Sequence, residues 1–259
     1  MIDTHSHMFD GAFDADRDEA LGHAREAGVE RILCPAIDSE SHDAMLAMCR
    51  ANPGYCVPMM GMHPTSVNDN LDWERELAIV ESHLASPPPG GFCAIGEVGL
   101  DLHWSRDFLA EQTAAFERQI ELAISYDLPL AIHTREAWAE MFTTLEKYTG
   151  RGMRGVMHAF SGTLNDYRRV RAVGDFVLGV GGSVTYKKSR WRELLPAIDP
   201  AHIVLETDAP WLTPEPFRGR RNESSYLTHI LTAAAAILDT SPADLDRITT
   251  GNVRRVFGL

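Results

Sequence analysis

The sequence has few cysteines, and their spacing fits neither a disulfide scaffold nor a zinc ribbon. Cys34, Cys49, Cys56 and Cys93 form no C-x-x-C pair, so both kinds of framework lack support. Isolated cysteines are typical of the reducing cytosol, and we expect a cytoplasmic protein. No run reaches the roughly 18 apolar residues that a membrane-spanning helix needs, and the first residues do not follow the basic-then-apolar pattern of a signal peptide. We therefore expect no membrane partner.

Positive charge is also scarce. The 259 residues include 24 lysines and arginines against 37 aspartates and glutamates, which gives a formal charge of −13. Such a surface repels polyanions on average, so a general basic nucleic-acid footprint is excluded and any phosphate site has to be local.

The composition is that of an ordinary globular protein. The length fits one large α/β barrel or two smaller domains, and nothing indicates an obligate protein partner.

No linker rich in glycine, serine or proline divides the chain, and short apolar runs alternate with amphipathic segments along it. Continuous apolar runs are typical of parallel strands buried on both faces. The runs are residues 2–5, 31–36, 56–63, 93–98, 128–133, 155–158, 176–180 and 203–208. Helical spacing separates them, and two further helices are predicted near residues 226–238 and 242–257. Eight strand–helix units predict a (β/α)8 TIM barrel that forms a single domain over residues 1–259. A doubly wound sheet is the alternative, but no Gly-x-Gly-x-x-Gly follows the first run.

Metal-ligating and acid–base residue types stand at the ends of the predicted strands. His5 and His7 lie two residues apart, and side chains at that spacing in a strand point to the same side. Imidazole pairs of this kind suit Zn, Mn or Ni, and carboxylates admit Mg. The residues of this type at later strand ends are His63, Glu97, His133, His158, Glu206 and Asp208. In a barrel the carboxyl ends of all strands meet at the face where active sites lie, so we expect them to converge.

Other interpretations remain open for each residue alone. A single histidine after an apolar run is commonly a packed core or loop residue, and Asp208 could simply begin a helix. Four of these histidines and two of these carboxylates together could hold two metal ions that share one bridging carboxylate. Glu97 is the natural bridge, because its two oxygens can coordinate separately.

Six segments resemble those of the TatD-type metal-dependent hydrolases, which are relatives of the amidohydrolase barrels. They are IDTHSH at residues 2–7, GMHP at 61–64, GEVGLD at 96–101, IHTR at 132–135, HAFSG at 158–162 and ETDAPWL at 206–212. The segments occur in family order and are jointly specific. The chain departs from the family at Ala159, where cysteine is usual, and in the loop at residues 218–224, which lacks the family's proline.

The resemblance implies a (β/α)8 barrel with one or two divalent ions and deoxyribonuclease activity, which we expect to be of the 3'-5' exonuclease type on DNA or another phosphodiester. It implies six metal ligands: His5, His7, Glu97, His133, His158 and Asp208. The attacking nucleophile would be a metal-activated water, and Asp208 would accept the proton of this water. Glu97 would contact both ions. Strand alternation places Glu206 on the same side as Asp208, where it either orients a ligand or has a structural role.

The substrate's phosphate needs local positive charge. The loops after strands seven and eight form the usual phosphate corner of this barrel, so we expect substrate contacts there and at the ends of strands three and five. The predicted contact residues are His63, Arg135, Lys187, Arg218 and Arg220. Arg221 lies in the same basic loop, and Trp211 and Phe217 could stack on a base.

Two other function classes remain as alternatives. Barrel relatives hydrolyse a small-molecule amide, lactone or phosphoester, but many of those use a modified lysine on strand four, where this chain has Glu97. A structural or sensory metal site is less consistent with the sequence, because structural zinc sites are closed and commonly built with cysteine.

Overall fold

A computed structural model describes all 259 residues and contains eight parallel strands. Each strand overlaps one of the predicted apolar runs. They are β1 Ile2–Asp3, β2 Arg31–Cys34, β3 Cys56–Pro58, β4 Ile95–Asp101, β5 Leu130–Arg135, β6 Arg154–Met157, β7 Asp175–Val180 and β8 Ile203–Leu205. All pairings between neighbouring strands are parallel.

Backbone hydrogen bonds close the strands into a ring. The regular ladders form two sheets, β1-β2-β3 and β4-β5-β6-β7-β8. At one seam, Thr4 N–H after β1 donates to the carbonyl of Leu205 in β8 at 3.1 Å. At the other, Met60 N–H after β3 donates to the carbonyl of Ala94 before β4 at 3.2 Å. The predicted TIM barrel is confirmed, and its carboxyl ends define one face.

Nine helices connect or follow the strands. They are α1 Arg17–Glu26, α2 Ser39–Ala51, α3 Trp73–Ala85, α4 Leu109–Ser125, α5 Trp138–Leu145, α6 Leu164–Val173, α7 Trp191–Leu194, α8 Leu227–Ile237 and α9 Pro242–Phe257. Helix α7 has only one α-helical turn, because Pro196 has no N–H to continue the hydrogen bonding and the chain passes into a 3-10 turn. No helix combines the length and apolar character needed to cross a bilayer.

The interior of the barrel is filled with apolar side chains. One buried cluster includes Ile2, Leu33, Val156, Val177 and Val204, which belong to five different strands and contact one another across the ring. The apolar residues near the end of α9 join the same cluster. A larger cluster of 61 buried residues includes the apolar faces of the surrounding helices. The barrel is therefore a packed scaffold, and the polar residues at its carboxyl ends sit on a rigid base.

Candidate metal centre

Two imidazoles converge directly after β1. Nε2 of His5 lies 3.2 Å from Nε2 of His7, and both side chains are buried. His7 N–H donates to the carbonyl of Ala209 at 2.7 Å, and Asp208 N–H donates to the carbonyl of His5 at 2.9 Å. These bonds fix the end of β1 to the loop after β8, so both nitrogens are held at one point.

The carboxylate of Glu97 lies between two groups of imidazoles. Its Oε2 is 3.1 Å from His5 Nε2 and 3.5 Å from His7 Nε2. Its Oε1 faces the other group, at 3.0 Å from His133 Nδ1, 3.5 Å from His63 Nε2 and 3.8 Å from His158 Nε2. Each oxygen of the one carboxylate therefore has its own set of nitrogen neighbours.

Asp208 closes the cluster from the loop after β8. Its Oδ1 lies 3.7 Å from Nε2 of both His7 and His158. The residue adopts a left-handed conformation with φ 58°, which is uncommon outside glycine and frequent at functional sites. No helix begins here, so Asp208 is not a helix cap. The structure thus brings together all six residues that the resemblance implies as ligands.

Glu206 is buried behind His158. Its Oε1 accepts a hydrogen bond from Ala159 N–H at 2.6 Å and lies 3.2 Å from His158 Nδ1. Gly179 in β7 makes room for this carboxylate, because a Cβ at that position would lie 2.3 Å from Glu206 Oε2. Glu206 therefore contacts the nitrogen of His158 that faces away from Glu97.

Sequence reasoning missed two buried carboxylates beside the cluster. Asp101 at the end of β4 places Oδ2 3.0 Å from Nε2 of His133. Asp3 in β1 accepts hydrogen bonds from Thr207 N–H at 2.9 Å and Thr207 Oγ1 at 2.6 Å, and burial raises its pKa to about 7. The two-residue alternation of a strand could have found both, since Asp3 precedes His5 by two positions and Asp101 follows Glu97 by four.

The electrostatics of the cluster favour a cation. Burial lowers the pKa of His5 well below its usual value, so its imidazole is neutral and keeps a free lone pair. Burial also lowers the pKa of His158, but Glu206, Asp208 and Glu97 outweigh this effect and raise it to about 10. Burial raises the pKa of Glu97, but the surrounding histidines bring it well below its ordinary value. Imidazoles grouped around ionised carboxylates suit a divalent ion.

Burial raises the pKa of Asp208 to about 6, although His158 and His7 act in the opposite direction. A carboxyl group with a pKa near neutrality is suited to accept and release a proton. Asp208 combines this property with contact to both imidazole groups.

A cavity of about 700 Å³ opens over the cluster. His63 and Arg135 line it together with five of the six candidate ligands, all but His5, and with the exposed rings of Trp104 and Trp211. His63 and Arg135 therefore lie where a substrate would bind.

The remaining predicted contacts lie outside this cavity. Lys187 and Arg218 line an adjoining cavity, whereas Arg220 lines neither, so no contact supports its predicted role. Arg221 forms paired bonds of 2.6 and 2.7 Å to Asp16, which stabilises the loop. Phe217 stacks on Tyr226 with ring centroids 4.3 Å apart and does not line the cavity over the metal centre.

Comparison with known proteins gives one consistent result. Residues 2–258 match the family model described as TatD related DNase. The chain is 32% identical to an uncharacterised metal-dependent hydrolase, YabD, of Bacillus subtilis (strain 168), covering 100% of this chain and 99% of the relative. It is 37% identical to the 3'-5' ssDNA/RNA exonuclease TatD of Cronobacter turicensis, covering 99% and 97%. The crystal structure of YjjV, a TatD homologue from Escherichia coli K12, superposes with a TM-score of 0.90 at 28% identity, covering 100% and 98%.

Proposed function

We propose that this chain, which belongs to the TatD-related DNase family, is a divalent-metal-dependent phosphodiesterase acting on nucleic acid. The observation that carries the proposal is the position of Glu97, whose two oxygens face two separate sets of imidazoles. The Cronobacter turicensis relative is named a 3'-5' ssDNA/RNA exonuclease, and we propose the same direction of attack on DNA for this chain.

Six residues would hold the metal. His5, His7 and Asp208 with Oε2 of Glu97 form one candidate site. His133 and His158 with Oε1 of Glu97 form the other. The donors suit Zn, Mn, Mg or Ni, in one or both sites. When bound, divalent ions lower the pKa of a coordinated water toward about 7 and stabilise charge on phosphoryl oxygens.

The protein's own groups supply the remaining chemistry. Asp208 accepts the proton of the attacking water, since its carboxylate reaches both imidazole groups of the centre. Arg135, which lines the cavity and has no carboxylate partner within 4.0 Å, binds a phosphate oxygen. His63 lies 3.5 Å from Glu97 at the same cavity and orients the substrate. Lys187 and Arg218 bind phosphate from the adjoining cavity.

Hydrolysis of an amide or a lactone is the competing function. The residues of β4 include Glu97 and no lysine, which favours the phosphodiesterase. A substrate panel separates the two: protein purified without chelator is assayed for metal content, then with a 3'-labelled single-stranded oligodeoxynucleotide, bis-p-nitrophenyl phosphate, a lactone and an amide. We expect turnover of the first two. Faster turnover of the lactone or the amide would overturn the proposal.

A further inference from the structure

A second cavity of about 710 Å³ adjoins the cavity over the metal centre. The two share Ala159, Ser161 and Leu212 in their linings, so they form one continuous depression. The second cavity lies between the loops that follow β6, β7 and β8. We call it the basic groove, because its lining includes Lys187, Lys188, Arg190 and Arg218.

The four cations of the basic groove are free of acidic partners. None lies within 4.0 Å of a carboxylate oxygen, and Glu215 is the one acidic residue in the lining. Several arginines elsewhere on the surface do pair closely with acids, as Arg118 does with Glu81 at 2.6 Å and Arg151 with Glu121 at 2.6 Å. In a chain of formal charge −13, this patch is a local site for anions.

Two of the cations are positioned by contacts that leave charge free. The guanidinium of Arg218 lies 4.3 Å above the ring of Tyr186, and Tyr186 Oη donates to the carbonyl of Thr213 at 3.0 Å. Stacking holds an arginine while leaving its N–H groups to bind phosphate. Arg190 lies beside the shared wall of the two cavities, with Nη1 3.5 Å from the carbonyl of Ser161.

We propose that the basic groove is a second phosphate subsite, which binds the backbone of a nucleic-acid single strand beside the linkage held at the metal centre. This inference rests on the proposed function. Proteins that bind single strands combine a positively charged groove with exposed aromatic rings. Here the rings are Trp104 and Trp211, which are 69% and 46% exposed beside the metal centre. The favoured substrates are then oligonucleotides with several linkages, and an isolated diester is a poor one.

The test removes two groove charges and compares them with two charges elsewhere. The groove variant is Lys188→Ala with Arg190→Ala. The matched control is Arg168→Ala with Arg192→Ala, which removes two exposed, unpaired arginines that lie on α6 and α7 outside both cavities. Binding of a fluorescein-labelled hexadeoxynucleotide is followed by anisotropy in chelator at several salt concentrations. Turnover of dinucleotide and hexanucleotide substrates is measured separately with metal.

We expect the groove variant to bind the hexanucleotide roughly 10- to 100-fold more weakly than the control variant does. The slope of log affinity against log salt should fall by about 0.7 for each phosphate that the variant no longer neutralises. With metal, its kcat/KM should fall further for the hexanucleotide than for the dinucleotide. Equal affinity and an equal salt slope in the two variants would overturn the proposal that the basic groove binds phosphate. Failure of the wild-type enzyme to cleave any phosphodiester would instead overturn the proposed function, because the anisotropy assay needs no turnover.

Discussion

The ring of His133 lies between two carboxylates, with Nε2 3.0 Å from Asp101 Oδ2 and Nδ1 3.0 Å from Glu97 Oε1. An ionised carboxylate only accepts hydrogen bonds, so both ring nitrogens can donate here, Nε2 to Asp101 and Nδ1 to Glu97. A metal ion held at Nδ1 would replace that proton and leave the one on Nε2, which Asp101 accepts. Burial raises the pKa of Asp101, but the bond with His133 and the N–H of His103 outweigh this and keep it low. Asp101 is thus ionised and presents Nδ1 of His133 to the metal centre, as outer-shell carboxylates do.

Replacing Asp101 with asparagine should weaken metal binding by roughly 10- to 100-fold, the usual effect of losing such a partner. The amide is similar in size but presents a weaker acceptor to Nε2. Calorimetric titration with Mn²⁺ measures the change, and excess metal should restore much of the activity. Asp107→Asn, at an exposed position, is the control. An unchanged affinity in Asp101→Asn would show that His133 needs no positioning partner.

Replacing Glu97 with glutamine should remove activity and reduce the occupancy of both metal sites. The amide offers one oxygen where the structure places a carboxylate oxygen toward each set of imidazoles. The loss of affinity should exceed the roughly hundredfold typical of outer-shell changes. Elemental analysis of the purified variant gives the metal content per chain. Normal turnover, or the loss of one ion with the other retained at full occupancy, would contradict a bridging role.

Replacing Gly179 with alanine should lower both stability and activity. The added Cβ would lie 2.3 Å from Oε2 of Glu206, so the buried carboxylate has to move away from His158. Overpacking of this kind costs about 1–3 kcal/mol of the free energy of unfolding. Denaturant unfolding and steady-state kinetics measure the two effects.

Gly22→Ala is the control for Gly179→Ala. No atom lies within 4 Å of a Cβ at that position in α1, and alanine should stabilise the helix by about 0.5–1 kcal/mol without changing activity. If Gly179→Ala also left activity and stability intact, the position of Glu206 would have no influence on the metal centre.

Much of the fold could be predicted from the sequence because strand and helix each have a distinct pattern. Strands buried on both faces read as continuous apolar runs, and all eight strands lie within or across such runs. The metal centre followed from the same pattern, since carboxyl ends of parallel strands meet at one face. Strand boundaries are harder to predict: the run at residues 56–63 contains β3 only to Pro58, because the chain leaves the sheet before His63.

Contacts that depend on distant parts of the chain could not be predicted. The basic loop at residues 218–224 gives no sign that Arg221 pairs with Asp16, which lies more than 200 positions earlier. Similarly, the sequence around Phe217 is the same whether its ring faces the cavity over the metal centre or packs on Tyr226, as it does in the structure. The position of Asp101 beside Glu97 could have been predicted from strand alternation, but its contact with His133 depends on the rotamer of that histidine on the neighbouring strand.

Replacing Arg218 with alanine should raise KM for a phosphodiester more than it lowers kcat. The guanidinium lies over Tyr186 in the basic groove, away from the six candidate metal ligands. An interaction made equally in the ground state and the transition state affects KM alone. Kinetics on a hexadeoxynucleotide test this, with Arg168→Ala as the control. An unchanged KM would remove Arg218 from the substrate site.

Removing metal should abolish activity while the barrel stays folded. The candidate ligands sit on a ring of strands whose interior is filled by its own apolar cluster, so folding does not depend on the ion. Without metal, however, the buried carboxylate of Glu97 is stabilised only by the surrounding histidines, and only to the extent that these are protonated. A bound ion adds to the free energy of unfolding, because it binds the folded state and not the unfolded one. Dialysis against chelator should therefore leave the far-ultraviolet circular dichroism unchanged and lower the melting temperature. Restoring Mn²⁺ or Zn²⁺ should reverse the shift and return activity, whereas unfolding in chelator would indicate a structural metal.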